Sequence, residues 1–309
     1  MKINKPKFWN DKKHLFVFFL LPFSLVYYLI IFFRRKLIKP KSLNIPIVCV
    51  GNIYVGGTGK TPTSIQICNE LTKRSKKTAL VRKYYKSHKD EHLLINNYYK
   101  GLILGADRIL AIEEAKRKKF QVIVLDDGLQ DLKIKKNFNI VCFNQNQLIG
   151  NGYVFPAGPL RENIRTLENS HAIIINGVKS PDFEKKIFEI NSKIEIFYSK
   201  YNPLNISDFK NKNLLALASI GNPQNFFDLL SENNLIIKKK IVFPDHYEFN
   251  KDEISDIISI AKRNSYQIIM TEKDFYKFKD FETQELKYLK VELKLDNQKK
   301  LIDMIMKSL

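Results

Sequence analysis

The stretch IPIVCVGNIYVGGTGKTP, residues 45–62, constrains the fold of this chain more than any other. Its first six residues are apolar and mostly β-branched, which predicts a buried strand. Gly56, Gly57 and Gly59 follow, then Lys60 and Thr61, and residues 63–71 show helical apolar spacing. This order of strand, glycine-rich turn and helix is typical of a phosphate-binding loop, because backbone N–H groups and a helix N-terminus can surround an anion.

The residue types in this turn predict its chemistry. Lys60 is expected to reach the β- and γ-phosphates of a nucleotide, and Thr61 to place its hydroxyl on Mg²⁺. The standard pattern has glycine where this chain has Tyr54, and the similar loop of the dimeric ATPases related to nitrogenase iron protein has lysine where this chain has Val55. A glycine-rich β-hairpin turn is the alternative. The other predicted nucleotide contacts are Val55, Gly56, Gly57, Thr58 and Gly59.

Composition limits the class of protein. A chain of 309 residues can form one large or two modest domains with proper cores. Its cysteines, Cys49, Cys68 and Cys142, are scattered, which favours buried reduced thiols over disulfides or a metal cluster. The net charge of +20 suggests an anionic partner, either a membrane surface or nucleic acid. Charge is the only support for nucleic acid, because the chain has no zinc motif and no aromatic RNA-binding signature. We therefore expect no nucleic-acid partner.

The N-terminal region predicts a membrane anchor. Residues 15–33, LFVFFLLPFSLVYYLIIFF, contain no charge and are near the length that spans a bilayer. Lys12 and Lys13 precede this run and three basic residues follow it, so the positive-inside rule leaves its orientation open. A signal peptide is the alternative, but RRKLIKPK follows the run and offers no small-residue cleavage site. Whether the helix spans the bilayer or lies in its interface stays open.

The rest of the chain alternates strands and helices. This pattern predicts an α/β fold like that of phosphate-loop NTPases, with a parallel sheet flanked by helices and a smaller second α/β domain. A polar break near residues 201–213 suggests domains at 42–201 and 202–309, after an anchor at 1–41. Strands are predicted at 78–82, 121–125, 139–143, 172–176, 194–198, 214–218, 236–243, 267–270 and 288–295, and helices at 107–118, 225–230, 251–264 and the C-terminus.

Charged residues follow two of these segments. Asp126 and Asp127 close the strand QVIVL, and carboxyl ends of parallel strands face the ligand crevice, so we expect this pair beside Thr61 as metal ligands. An Asp-Asp-Gly sequence can also be a simple turn. The loop GNGYVFPAGPLRE, residues 150–162, ends in Arg161, which is predicted to contact the nucleotide phosphates, and in Glu162, a further predicted metal ligand. A purely structural loop is the alternative.

Six motifs occur in a fixed order along the chain: VGNIYVGGTGKTP, DDGLQ, GNGYVFPAGPLRE, GNPQNFF, FPDHYEF and TEKD. Together with the apolar N-terminal helix, they resemble the tetraacyldisaccharide 4′-kinase family of lipid A biosynthesis over nearly the whole chain. The resemblance implies a monotopic kinase on the cytoplasmic face of the bacterial inner membrane. It implies transfer of the ATP γ-phosphate to the 4′-hydroxyl of an acylated glucosamine disaccharide 1-phosphate, in contact with phospholipid and with no obligate protein partner. That lipid is expected near the membrane face, between two α/β domains.

The resemblance also assigns a proton acceptor. Asp90, in KDEHLLI, matches the aspartate of the family's GDEP segment, and His246 matches the histidine of its DH segment. We expect the two to meet across the cleft between the domains as one general-base unit. Without the resemblance, Asp90 reads as a solvated loop acid and His246 as a turn histidine. The chain departs from the family where RGYG is Arg-Lys-Tyr-Tyr at residues 82–85, where GDEP is KDEH, and where Asp131 replaces the histidine after DDGLQ.

A membrane-tethered regulatory NTPase without a lipid acceptor is the alternative function. It would use the same phosphate-binding loop and bind the same nucleotide. The guanine-selecting pattern Asn-Lys-x-Asp is absent from the sequence, and TEKD at residues 271–274 lacks its spacing. This absence counts against a GTPase switch. The cofactors we expect are ATP, which the family resemblance implies, and Mg²⁺ at Thr61.

Overall fold

The structure is a computed structural model that describes residues 6–245, 247–278, 281 and 284–309. Its described α-helices are α1 (Leu15–Leu37), α2 (Lys60–Lys73), α3 (Lys89–Tyr98), α4 (Arg108–Arg117), α5 (Pro181–Ile190), α6 (Pro223–Glu232), α7 (Lys251–Arg263), α8 (Glu272–Phe275) and α9 (Gln298–Ser308). Its described strands are β1 (Ile47–Gly51), β2 (Thr78–Lys83), β3 (Leu102–Gly105), β4 (Val122–Asp126), β5 (Phe138–Asn144), β6 (Ala172–Asn176), β7 (Glu195–Pro203), β8 (Asn213–Ala218), β9 (Ile236–Val242), β10 (Gln267–Thr271), β11 (Leu286–Leu289) and β12 (Val291–Leu295).

The chain forms two compact units. The large unit contains residues 6–84, Tyr99–Lys200 and Leu293–Leu309, and the small unit contains Tyr85–Tyr98 and the described residues of Tyr201–Glu292. This division differs from the predicted domains in three segments, because residues 6–41 and Leu293–Leu309 belong to the large unit and Tyr85–Tyr98 to the small one. Within the small unit α3 packs on α8, and within the large unit α9 packs on α2. The sequence did not indicate either placement, because helical periodicity shows which face is apolar but not which sheet that face covers.

An eight-stranded sheet organises the large unit. Its strand order is β12-β7-β6-β5-β1-β4-β2-β3, and the pairings from β3 to β7 are all parallel. The central strand β1 is buried at every residue, as its apolar sequence predicted. The register pairs Val50 of β1 with Asp126 of β4, and Asp126 in turn with Arg82 of β2. Three neighbouring strands therefore bring these residues to one level at their carboxyl ends.

A second sheet of four parallel strands, in the order β11-β10-β8-β9, forms the small unit. Alternate residues of β8 pack on opposite faces of this sheet. Leu214 and Ala216 belong to the core cluster that contains Phe227 of α6, whereas Leu215 and Leu217 belong to the cluster that contains residues of α7. The prediction of a second, smaller α/β layer structure is confirmed.

The strand predicted at residues 288–295 is wrong as a single element. It is divided into β11 of the small sheet and β12 of the large sheet, with Lys290 between them. The backbone carbonyl of Lys290 accepts a hydrogen bond from Leu204 N at 2.8 Å, and its N–H donates to Asn205 Oδ1 at 2.8 Å. These contacts replace ladder hydrogen bonds at the break. Elements α3, β3, α5 and α8 were not predicted.

Helix α1 is long and apolar enough to cross a membrane by length and composition, with a mean hydropathy of 2.5 over its most apolar window. It extends the predicted run by one turn, to Leu37. One face packs on the 150–162 loop: Ser24 Oγ donates to Val154 O at 2.9 Å and accepts from Ala157 N at 2.8 Å. Most large apolar side chains on the other faces are exposed, among them Phe19 at 66%. The helix is therefore fixed to the large unit along one side only.

Candidate active site

The loop between β1 and α2 has the backbone of a phosphate-binding turn. Gly59 precedes α2 with φ 85° and Gly56 has φ 129°, conformations in which a side chain would be strained. The buried Asn52 amide closes the turn by donating to Gly56 O at 3.2 Å and to Thr58 Oγ1 at 3.0 Å. The N-terminal N–H groups of α2 follow directly, so the turn and the helix dipole favour an anion at this point.

Tyr54, which stands where the standard pattern has glycine, lies outside this turn. It is buried and forms an antiparallel bridge with Leu160, while the neighbouring Val55 N donates to Pro159 O at 2.9 Å. The first part of the loop is thus attached to the 150–162 loop. A bulky residue is tolerated here because it packs against protein rather than around an anion.

Asp126 is the most deeply buried carboxylate of the site, at 0% exposure. Thr61 Oγ1 donates to its Oδ2 at 3.1 Å, and Ser64 Oγ donates to its Oδ1 at 3.1 Å. Arg82 Nη1 donates to the same Oδ2 at 2.5 Å and to Thr61 Oγ1 at 3.0 Å. Thr61 therefore lies beside Asp126, as predicted. The guanidinium group of Arg82 contacts Thr61 Oγ1 and Asp126 Oδ2.

Asp127 faces a different set of cations. Arg161 Nη1 contacts its two carboxylate oxygens at 2.9 and 3.2 Å, and Lys60 Nζ lies 3.5 Å from Oδ1. Its backbone carbonyl accepts from Arg108 Nη2 at 2.7 Å. Burial by itself would raise the pKa of Asp127, but the nearby positive charges of Lys60, Arg161, Arg82 and Arg108 outweigh it and lower that pKa to about 2. Asp127 is thus ionised at neutral pH.

Lys60 is the first residue of α2, and its side chain is 13% exposed. Burial lowers the pKa of its ammonium group, and the charge of Asp127 opposes that effect. Three carboxylates, Asp126, Asp127 and Asp131, face four cations in this part of the large unit. This excess of positive charge suits a polyphosphate ligand, because the anion would complete the charge balance. The cations are Lys60, Arg82, Arg108 and Arg161.

Glu162 is not brought to Thr61 and Asp126 by any described contact. Its carboxylate is buried, pairs with Arg35 at the end of α1 and accepts from Thr166 Oγ1 at 3.1 Å. Among the described residues, no three His, Cys, Asp or Glu side chains converge as a metal cluster. Glu162 therefore connects α1 to the 150–162 loop.

Asp90 lies in the small unit, not in the domain of the phosphate-binding loop as predicted. It is in the first turn of α3 and is 5% exposed, so the alternative of a solvated loop acid is wrong. Lys277 Nζ lies 3.7 Å and Lys273 Nζ 3.9 Å from its Oδ2. His246 lies outside the described residues, but Asp245 before it contacts Lys273 Nζ at 3.0 Å. The acid thus sits in a cationic setting close to that segment.

Comparison with known proteins matches the whole chain to one family. A family model described as tetraacyldisaccharide-1-P 4′-kinase covers residues 16–309. The tetraacyldisaccharide 4′-kinase of Pelagibacter ubique is 40% identical over 314 residues, 99% of this chain and 98% of that protein. The protein of the same name from Rickettsia canadensis is 32% identical, again over 99% and 98%. The chain belongs to the tetraacyldisaccharide 4′-kinase family.

A solved structure supports the fold of this family member. The crystal structure of LpxK from Aquifex aeolicus in complex with ATP aligns with a TM-score of 0.73 at 23% sequence identity, covering 95% of this chain and 99% of that one. The α/β fold with a phosphate-binding loop is thereby confirmed. The resemblance read from the six ordered motifs is confirmed as well.

Sequence reasoning about this tetraacyldisaccharide 4′-kinase family member missed three residues of the site. Arg82 was noted only as part of a changed motif, yet it contacts both Thr61 and Asp126. Ser64 and Arg108 were not considered. One available signal was the charge of Arg82 at the end of an otherwise apolar strand, which is costly unless a partner is close. Nothing in the local sequence identified that partner.

Proposed function

We propose that this chain transfers the γ-phosphate of ATP to the 4′-hydroxyl of a tetraacyldisaccharide 1-phosphate, the reaction named by its family. The observation that carries the proposal is the phosphate-binding loop with Lys60, Thr61 and Asp126 assembled in one unit, within a chain that matches the kinase over its full length. Phosphoryl transfer depends mainly on positioning and charge, and both are present here.

ATP is the nucleotide that the loop would hold. The turn around Gly56 and Gly59 and the N-terminus of α2 suit its phosphates, and the similar Aquifex aeolicus structure contains ATP. Lys60 would contact the β- and γ-phosphates. Arg161, now paired with Asp127, would neutralise the charge on the transferred group. Both interactions would strengthen as charge develops in the transition state, which is where binding accelerates a reaction.

Mg²⁺ is the metal that fits this site. Hydroxyl and carboxylate oxygens are its preferred protein ligands, and Thr61 and Asp126 offer one of each, 3.1 Å apart. The Arg82 guanidinium donates hydrogen bonds to the same two oxygens, which supports a positive charge at this position. Thr61 and Asp126 would therefore hold the metal. Bound Mg²⁺ would supply neutralisation of charge on the phosphates.

Asp90 and His246 are proposed as the general-base unit for the sugar hydroxyl. The support is their match to the family motifs, the burial of Asp90 and the contact of Asp245 with the lysine that also approaches Asp90. Asp90 would accept the hydroxyl proton as the new oxygen–phosphorus bond forms, and His246 would orient it. Residues that act as one unit are non-additive, so a double Asp90→Ala, His246→Ala variant should be scarcely slower than the slower single variant.

Membrane binding is assigned to α1. Its exposed apolar faces and its fixed side on the large unit favour insertion into the bilayer interface rather than a free span. The cytoplasmic side follows from the family's use of ATP. Anionic phospholipid would attract the basic surface of the chain.

The test is incubation with γ-labelled ATP and the disaccharide lipid in detergent. We expect label in the lipid, and we expect Lys60→Ala to lower kcat by at least about 10²-fold, as for removal of one preorganised transition-state contact, with little change in lipid binding. Lys73→Ala is the matched control, because this lysine of the same helix is exposed and pairs only with Glu70 among its described contacts. Label in free phosphate alone would support the regulatory NTPase instead.

A further inference from the structure

The TEKD motif at residues 271–274 has no role in the mechanism so far. Thr271 ends β10, and its hydroxyl accepts the hydrogen bond of Asp274 N at 3.1 Å, which begins α8. Asp274 is fully buried and accepts from Ser219 N at 3.0 Å and from Lys277 Nζ at 2.9 Å. Two residues of the motif, Thr271 and Asp274, are therefore committed to holding the backbone of α8 on the sheet.

Lys273, the third residue of the motif, points elsewhere. Its ammonium group contacts Glu91 at 2.8 Å and Asp245 at 3.0 Å, and lies 3.9 Å from Asp90. Its side chain is only 15% exposed. These three carboxylates come from two separate segments of the small unit, the first turn of α3 and the stretch after β9. One lysine thus joins both segments.

Lys277 provides a contrast. It lies slightly nearer to Asp90 Oδ2 than Lys273 does, at 3.7 Å against 3.9 Å, but its hydrogen bonds go to Ser219 and Asp274, which belong to the framework around α8. A charged side chain held in a framework of this kind contributes to folding. Lys273 has its described contacts with carboxylates of the segments that carry Asp90 and precede His246, so its position bears on the proton acceptor instead.

We propose that Lys273 is a positioning residue that sets the orientation of the Asp90 carboxylate. This inference rests on the proposed function, in which Asp90 accepts the proton of the sugar hydroxyl. In that step the hydroxyl oxygen bonds to the γ-phosphorus, the bond from the γ-phosphorus to the β-bridging oxygen breaks, and the proton moves to Asp90. Lys273 takes no part in this proton transfer. It holds α3 and the Asp245 segment together and keeps a positive charge beside the acceptor.

Three variants test the role of Lys273. Lys273→Met keeps most of the stem and removes the charge, and Lys273→Arg keeps the charge. We expect Lys273→Met to lower kcat roughly 10- to 100-fold, less than complete loss of a general base. ATP affinity should stay within about twofold of wild type, because Lys273 has no described contact with the phosphate-binding loop. Lys273→Arg should restore part of kcat. Lys262→Met should match wild type, since Lys262 is exposed and pairs with Glu285.

A double-mutant cycle separates positioning from an independent role. If Lys273 acts through Asp90, then Asp90→Ala, Lys273→Met should have the same kcat as Asp90→Ala alone. Multiplied losses, or a wild-type kcat for Lys273→Met beside an inactive Asp90→Ala, would overturn this inference alone. An Asp90→Ala variant with wild-type kcat, or wild-type enzyme that leaves the lipid unlabelled, would contradict the proposed function instead. Thermal melting accompanies each variant. If Lys273→Met does not fold, the same cycle with Lys273→Gln, which also removes the charge, gives the decision.

Discussion

Arg82 and Asp126 form a buried ion pair between neighbouring strands, and its removal has a defined cost. Replacing Arg82 by Gln leaves the Asp126 carboxylate with only the hydroxyls of Thr61 and Ser64 among its described hydrogen-bond partners. Breaking one partner of a buried pair typically costs about 3–5 kcal/mol. We expect a loss of that order in the free energy of unfolding for Arg82→Gln, measured by urea denaturation without nucleotide or metal.

Mg²⁺ and ATP should reduce that loss, because a metal held by Thr61 and Asp126 would neutralise the same carboxylate. Arg74→Gln is the control: Arg74 pairs with Asp303 at a partly exposed position, and such pairs contribute little to stability. Equal losses for the two variants, or a loss for Arg82→Gln that Mg²⁺ and ATP leave unchanged, would contradict this assignment.

Because of Asp127, we expect the free energy of unfolding to depend on pH in the acidic range. Its pKa is about 2 in the folded protein because the surrounding cations outweigh its burial, against an unperturbed value of 3.8. A depressed carboxyl pKa contributes stability that is present above the unfolded pKa and is lost as the pH falls through the folded pKa. The difference in unfolding free energy between wild type and Asp127→Asn should therefore shrink between about pH 4 and pH 2. A difference that stays constant across this range would contradict the cited pKa.

At the residue scale, site residues were predicted correctly where a known motif fixes their spacing or a strand end fixes their position. Thr61 and Asp126 were expected together from a loop pattern and a strand end, and they form a hydrogen bond. Glu162 and Arg82 were different, because no motif spacing identified Arg35 and Asp126 as their partners. Such pairs depend on which strands become neighbours, and that order is not written in local periodicity.

At the scale of elements, α1 has an exposed apolar face and a face that packs on the 150–162 loop, and substitutions can test the two separately. Phe19 and Phe23 are 66% and 64% exposed, whereas Ser24 is buried and forms hydrogen bonds with the 150–162 loop. Phe19→Gln with Phe23→Gln should weaken binding to phospholipid vesicles at least tenfold, since burying a phenylalanine side chain contributes about 1.5–3 kcal/mol. The fold should be unaffected. Sedimentation with vesicles and thermal melting measure the two properties.

Ser24→Ala is the opposite case. It leaves the carbonyl of Val154 and the N–H of Ala157 without their partner, at a cost of about 1–3 kcal/mol in unfolding free energy. Vesicle binding should stay at the wild-type level. If instead Ser24→Ala released the protein from vesicles and the phenylalanine variant did not, the face assigned to the bilayer would be wrong.

Most elements of the fold were predictable because their cores are apolar and regular. Strand β6 matches its predicted bounds, and β1, β4 and β5 differ by one or two residues at their ends. Helix α3 was missed because its buried face is short and carries the polar residues Asp90 and His92 beside Ile95. The divided strand at β11 and β12 was missed because its apolar pattern continues through the point where the chain changes sheets.

At the scale of the whole molecule, the six ordered motifs predicted the family and the class of fold, and both are confirmed. The sequence did not predict which segments form each of the two units. Tyr85–Tyr98 belongs with the small sheet and Leu293–Leu309 with the large one, although each lies far in sequence from most of its unit. Only tertiary packing decides such assignments. The predicted base Asp90 was consequently placed in the wrong unit.

The net charge of +20 is also a property of the whole chain, arising from 52 basic and 32 acidic residues. It should add a long-range attraction to anionic bilayers, separate from insertion of α1. Salt distinguishes the two contributions, because the screening length falls from about 10 Å at 0.1 M to about 3 Å at 1 M, whereas burial of apolar side chains is not screened.

We therefore expect wild-type protein to bind vesicles of zwitterionic phosphatidylcholine with little salt dependence, and to bind vesicles that contain anionic phosphatidylglycerol more tightly at 0.1 M salt than at 1 M. A variant that lacks the residues before Ser42 should lose binding to the zwitterionic vesicles and keep only the salt-sensitive part. The double phenylalanine variant of α1 should behave in the same way with its charge unchanged. If neither variant retained salt-sensitive binding to the anionic vesicles, the surface charge would have no part in membrane attachment.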